Sequence, residues 1–373
     1  MKIAILTLPL HTNYGGILQA WALQTVLEQL GNNVVVLGLK KPVSRWFKIP
    51  LNIVKRCLWR AYGKTTCPIY AEFIQMRHDF KYHNKVYQFS KKYIRLHNIT
   101  GLNDIQPDKY DAIVVGSDQI WRKTFIKYLW GTTNYNAAFL GSVHSNGIKR
   151  IAYAASFGVS NWEYSDIETI GIRESLRKFS AISVREKSAV PLLECKTGIK
   201  ATQVLDPTLL IPKEKYIKLI PETIATCGGG IVSYILDPNK KTDSLIKEMT
   251  QTRGLNHSEL NLNSLGLPSI PIEDWIKGFA SADIIVTDSF HGCAFSIIFN
   301  KPLIFMRNES RGNTRFDSLI DLFGIHDNEV SDNIPWDINK DYHLPQNTSK
   351  KLNDLRKKSM EFINNSLSES EVI

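Results

Sequence analysis

The sequence predicts an α/β protein made of two doubly wound halves that face a cleft. Three observations carry this. Short apolar, β-branched runs stop at small polar residues; helix-like periodic segments lie between these runs; and the alternation restarts after residue 207. The chain has 373 residues, and at about 150 residues per domain it has room for two domains with cores of their own. A hydrophobic fraction of 43% is ordinary for a folded chain and sets disorder aside.

The first element is a strand over Lys2 to Leu8. Asn13-Tyr14-Gly15-Gly16 has the composition of a tight turn, and Ile17 to Leu30 has helical periodicity closed by Gly31. Val34 to Leu39 is the second strand, which completes the β-turn-α-β opening of a doubly wound sheet. The turn lacks the GxGxxG spacing of a dinucleotide site. Residues 40–100 form a basic, largely helical insertion. Buried strands follow at Tyr110 to Val115, Arg150 to Ala155 and Ala181 to Val184.

Leu205 to Leu210 forms a crossover, after which a strand is expected at Gly230 to Leu236 and helices at Lys241 to Thr252 and Ile272 to Ser281. Asp283 to Thr287 is an apolar strand, followed by a helix-like pattern from Ala294 to Phe299 and a strand at Leu303 to Phe305. Thr314 to Phe323 and Ser349 to Ile363 are helical, the last packing back on the first half. The expected organisation is a Rossmann-like domain over residues 1–206, a second over 207–330, and a C-terminal helical segment and tail over 331–373.

Five scattered cysteines, without CxxC spacing, point to a reducing compartment and away from a metal centre or a disulfide framework. The apolar N-terminal run is brief, contains Pro9 and leads into a turn, so it reads as a strand rather than a signal sequence. No segment is long and apolar enough to cross a bilayer, and the expected location is cytoplasmic. The net charge of +10 is unevenly spread, with eight basic and no acidic residues from Lys40 to Lys64. Residues 44–62 interleave that charge with Trp46, Phe47, Leu51, Val54, Leu58 and Trp59. A helix resting on an anionic membrane surface and a cationic helix packed on the first domain fit this pattern equally. Nucleic acid is not an expected partner, because no binding motif accompanies the charge.

Open α/β sheets bind ligands at the carboxyl ends of their strands. The polar residues gather there: Asn13, Gly15 and Gly16 after the first strand, Ser117 and Asp118, Ser156, Arg185, then Asp288, Ser289, His291 and Gly292. His291 stands at a strand-to-helix junction, where exposed N–H groups favour an anion and an imidazole can hold a proton near neutral pH. Gly292 is expected to let that anion approach the backbone. Each residue also has a plainer role open to it. Asn13, Gly15 and Gly16 suit a turn, Asp118 a helix cap, and Arg185 a pairing with Glu186. His291 suits a satisfied core histidine, and Asp288 a cap or a group that orients the imidazole.

The ordered set Asn13-Tyr14-Gly15-Gly16-Ile17-Leu18-Gln19, Gly116-Ser117-Asp118-Gln119-Ile120-Trp121, Ser183-Val184-Arg185-Glu186, Asp206-Pro207-Thr208 and Thr287-Asp288-Ser289-Phe290-His291-Gly292 resembles the polysaccharide pyruvyl transferase family. That resemblance implies a two-lobed architecture like that of B-type glycosyltransferases. It also implies transfer of a pyruvyl group from phosphoenolpyruvate to two hydroxyls of a sugar, giving a cyclic ketal. The acceptor would be a surface glycan or a lipid-linked precursor, and no metal or redox cofactor is called for. By resemblance His291 is the general acid, with Asp118 as the candidate base and Arg185 binding the donor. Many family members carry an arginine where this chain has Ser289, and Arg311 or Arg315 is the expected replacement. A B-type glycosyltransferase using a sugar nucleotide and a non-catalytic subunit of glycan assembly are the alternatives.

Overall fold

The computed structural model describes residues 1–10, 13–39, 53–55, 57, 59, 84–145, 147–222, 229–308 and 312–368. Of the basic segment 44–62, all but 53–55, 57 and 59 lie outside the described residues, so the expected membrane-facing helix does too.

Two parallel sheets organise the chain. The first holds β1 (Lys2–Leu6), β2 (Asn33–Leu39), β3 (Leu96–Ile99), β4 (Ala112–Val115), β5 (Lys149–Ala155), β6 (Ala181–Val184) and β7 (Thr202–Gln203), in the order β3-β2-β1-β4-β5-β6-β7. The second holds β8 (Ile231–Tyr234), β9 (His257–Glu259), β10 (Ile284–Thr287) and β11 (Leu303–Phe305), in the order β11-β10-β8-β9. Every described pairing is parallel. The all-apolar β4 and the β10 run Ile284-Ile285-Val286-Thr287 are buried along their whole length, as strands covered on both faces require.

The helices used below are α1 (Tyr14–Gln29), α2 (Lys123–Leu129), α3 (Asp166–Leu176), α4 (Ala189–Thr197), α5 (Pro207–Leu210), α6 (Lys213–Ile217), α7 (Lys240–Arg253), α8 (Ile272–Ser281), α9 (Phe290–Phe299), α10 (Thr314–Phe323) and α11 (Thr348–Ser368). Among them no helix is long and apolar enough to cross a membrane. Three sequence expectations need correction. Asn13–Gly16 is not a free turn: Asn13 caps α1 by accepting from the Gly16 N–H, and the two glycines lie in its first turn. The insertion over 40–100 ends in a strand, β3, which extends the first sheet beside β2. Leu205–Leu210 is no bare crossover, because Asp206 caps the short helix α5.

The chain reverses direction within each sheet, and the reversals define two crevices. In the first sheet it runs outward from β1 to β3, then resumes at β4 on the opposite side of β1. In the second, β9 lies on one side of β8 and β10 on the other. Ligand crevices of such sheets lie at the carboxyl ends of the strands flanking the reversal. Here these are β1 and β4 in one lobe and β8 and β10 in the other.

An aromatic core joins the lobes. Tyr14 of α1 stacks on Trp275 of α8 at 5.7 Å, and its hydroxyl donates to the Ile270 carbonyl. Trp21 of α1 meets Tyr216 of α6, which in turn meets Phe295 of α9. The last helix, α11, returns to the first lobe as expected, where Phe362 faces Tyr153 and the Ser359 hydroxyl accepts from the Leu205 N–H.

Candidate active site

The two crevices open into one cavity of about 500 Å³. Thr7 and Leu8 after β1, Asp118 and Gln119 after β4, Leu236 after β8, and Asp288 to His291 after β10 all line it. Its polar wall includes Asn13, Asp118, Arg122, His291 and Arg315, while Leu8, Leu10, Phe125 and Leu129 form an apolar side. The first turns of α1 and α9 both reach this space. No side chain caps α9, so its leading N–H groups stay available to an anion.

His291 is only 5% exposed, yet it lines the cavity at the seam between the lobes. Its Nε2 lies 2.8 Å from Nε2 of Gln19 and 3.9 Å from Oδ2 of Asp206. Gln19 also donates to that carboxylate oxygen at 2.6 Å, as do Arg185 at 2.8 Å and Ser117 at 3.2 Å. The other oxygen of Asp206 accepts from the backbone and hydroxyl of Thr208. One buried carboxylate thus gathers four side chains and one backbone N–H. Gly15 permits the approach of the lobes, since a methyl group there would overlap the imidazole.

Burial pushes His291 down to about 4, against the pull of Asp206, so the empty site holds a neutral ring at pH 7. Burial would raise Asp206, but Arg185 and His291 hold it below its ordinary value. Burial likewise lowers Arg185, and the charges of Glu186, Asp206 and Asp118 more than offset it, so its pKa is raised. Arg315 is pushed down to about 10, mainly by burial and then by Arg185, and stays a cation at neutral pH. Asp288 is raised by desolvation.

Asn13, Gly16, Asp118, Asp288, Ser289, His291 and Arg315 line the cavity. Asp118 is not a helix cap: it adopts a left-handed backbone with φ 71°, its Oδ1 accepting from the Gln119 N–H and its Oδ2 near Gly16. A non-glycine residue held there is strained, and such strain gathers at functional sites. Ser117, Ser156, Arg185 and Gly292 stand behind the cavity wall. Ser156 donates to Glu186 beside the β5 bulge. Arg185 lies beneath the Phe290 ring, 4.8 Å from its centroid. Gly292 is bare for packing rather than for anion approach: a methyl there would strike Thr287, so its bareness lets α9 pack on β10. Asp288 does not orient the imidazole, because it accepts from the N–H groups of Leu236 and Asp237 and so ties β8 to β10. Arg311 lies outside the described residues.

Four further polar residues belong to the site without having been singled out from sequence as candidates. They are Gln19, Asp206, Gln119 and Arg122, whose guanidinium donates to Gln119 at 2.7 Å. Gln19 carried one signal, a polar side chain amid Ile17, Leu18, Ala20 and Trp21 on a buried helix. Among the described residues no three His, Cys, Asp or Glu side chains are grouped to hold a metal ion.

A family model described as polysaccharide pyruvyl transferase matches residues 13–310. No curated protein matches the chain. Solved structures resemble it at low identity. MurG of Acinetobacter baumannii is 10% identical, with 99% of this chain and 95% of that one covered and a TM-score of 0.44. The UDP-N-acetylglucosamine 2-epimerase of Rickettsia bellii is 11% identical, with 98% and 96% covered and a TM-score of 0.47.

Proposed function

The chain belongs to the polysaccharide pyruvyl transferase family, and from that premise we propose that it moves the pyruvyl group of phosphoenolpyruvate onto two hydroxyls of a sugar, forming a cyclic ketal. The observation that carries this reading is a neutral, buried imidazole on the wall of an inter-lobe cavity that also offers the uncapped N-terminus of α9 and the cations Arg122 and Arg315. Such a wall suits a small donor bearing phosphate and carboxylate.

A polyanionic donor beside His291 favours the imidazolium, so donor binding takes up a proton. The ring then gives that proton to the methylene carbon, which becomes the methyl group and leaves an oxocarbenium-like centre at the neighbouring carbon. One sugar hydroxyl attacks that centre and loses its proton, with Asp118 as the base. The bond to the phosphate oxygen breaks, phosphate departs carrying one proton, and the second hydroxyl closes the ring. Arg185 acts from behind Phe290 by fixing Asp206, rather than by touching the donor. The apolar side formed by Leu8, Leu10, Phe125 and Leu129 suits the carbon face of a sugar.

Incubation with phosphoenolpyruvate and a panel of glycosides tests this. The expected result is acceptor-dependent phosphate release with the mass gain of a pyruvate ketal. Thermal stabilisation by sugar nucleotides but not by phosphoenolpyruvate would overturn it in favour of glycosyl transfer.

A further inference from the structure

The side-chain amide of Gln19 bridges the lobes and has only one workable orientation. Oδ2 of Asp206 already accepts from Arg185 and Ser117, and an amide oxygen set 2.6 Å from it would oppose two acceptors. The nitrogen of Gln19 therefore faces the carboxylate, and its second N–H points at Nε2 of His291 at 2.8 Å. A ring nitrogen that accepts carries no proton, so the imidazole proton sits on Nδ1. That edge lies over Gly15, in the first turn of α1, where Asn13 and Gly16 form the cavity rim.

We propose that Gln19 is a positioning residue: reaching from α1 of the first lobe, it holds the imidazole of the second lobe as the neutral Nδ1–H tautomer and presents that edge to the substrate cavity. The inference rests on the reading of His291 as the proton donor of pyruvyl transfer. Placing a proton on Nε2 sets it against the amide N–H, so the ring charges only as Gln19 yields. Asp206, 3.9 Å away, is then the counter-charge. The other charged groups facing the ring are Arg185 after β6, Asp118 after β4 and Arg315 on α10.

The test uses full-length protein labelled with ¹⁵N-histidine, with His291→Asn assigning the resonance. Two-bond proton–nitrogen spectra of the wild type should show Nδ1 protonated and Nε2 bare. In Gln19→Leu the ring should titrate about one pH unit higher, because the hydrogen bond that favours its neutral form is gone. In the near-isosteric Gln19→Glu, a carboxylate beside Nε2 should move it higher still. The acid limb of the pH–rate profile should shift with the titration, with kcat about tenfold lower in Gln19→Leu and the KM for phosphoenolpyruvate little changed. An Nε2–H tautomer in the wild type, or a Gln19→Leu ring that titrates like the wild type, overturns the proposal. The titration needs no substrate. Absence of pyruvyl transfer would therefore sink the functional reading while the role of Gln19 is decided separately.

Discussion

At the scale of single residues, the proposed chemistry depends on His291, and the burial of that ring has a measurable cost. The unfolded chain protonates this ring near pH 6.5, whereas the folded one does so only at about 4. Its contribution to stability is therefore complete above pH 6.5 and is lost as the pH falls towards 4, by about 3 kcal/mol. Denaturant melts at pH 7 and pH 4 should show that slope in the wild type and a shallower one in His291→Asn. The same variant should lose on the order of 100-fold in kcat, and normal turnover would remove the ring from the mechanism. Adjacent glycines should part company as well. Gly15→Ala drives a methyl into the imidazole, whereas Gly16→Ala meets Asp118 only at an ordinary 3.5 Å. Gly16→Ala should thus stabilise by about 0.5–1 kcal/mol, while Gly15→Ala lowers both melting temperature and kcat. Both glycines and His291 stood out in the sequence because they close apolar strands or open helices. Gln19 did not, since its partner Asp206 lies 187 positions away and nothing local records the pairing.

At the scale of elements, local pattern located most strands and helices, and tertiary contact set the ends it missed. The Gly-Gly pair after Tyr14 has poor helix propensity, which argues for a turn. The Asn13 cap and the stacking of Tyr14 on Trp275 draw those residues into α1 instead. Strand β3 reads Leu-His-Asn-Ile, with no alternation of its own, and exists by pairing with β2 and by the hydrogen bond between His97 and Tyr110. Helix α11 was legible as a helix, but its purpose was not. Arg356 donates to the carbonyls of Leu209 and Ile211, and Ser359 accepts from Leu205 N–H, so α11 grips the segment that carries Asp206. Ser359→Ala leaves a buried N–H without its partner and should cost about 1–3 kcal/mol in denaturant melts. A variant as stable as the wild type would show that α11 merely covers the first sheet.

At the scale of the whole molecule, two reversals of strand order set opposite each other make the cleft, and that much followed from the alternation of apolar runs and helices. How the lobes touch did not follow, because side chains far apart in sequence make part of the contact and backbone makes another part. Gly312, in the second lobe, adopts φ 92°, and a methyl group on it would overlap the carbonyl of Gly158 in the first. Neither partner is a flexible side chain, so the strain of Gly312→Ala falls on the backbone contact between the lobes. Gly158 is itself crowded by Gln119, which holds Arg122 at the cavity wall, so a shift there reaches the wall where the proposed donor would bind. Gly312→Ala should therefore lower the melting temperature and raise the KM for phosphoenolpyruvate roughly tenfold. Gly324→Ala is the matched control: its φ of 70° is also left-handed, but nothing lies within 4 Å of the added methyl. It should show only the local conformational cost of about 1 kcal/mol, with KM unchanged. Equal losses of stability in the two variants, with KM unmoved in both, would mean that the working enzyme does not close on this pair of glycines.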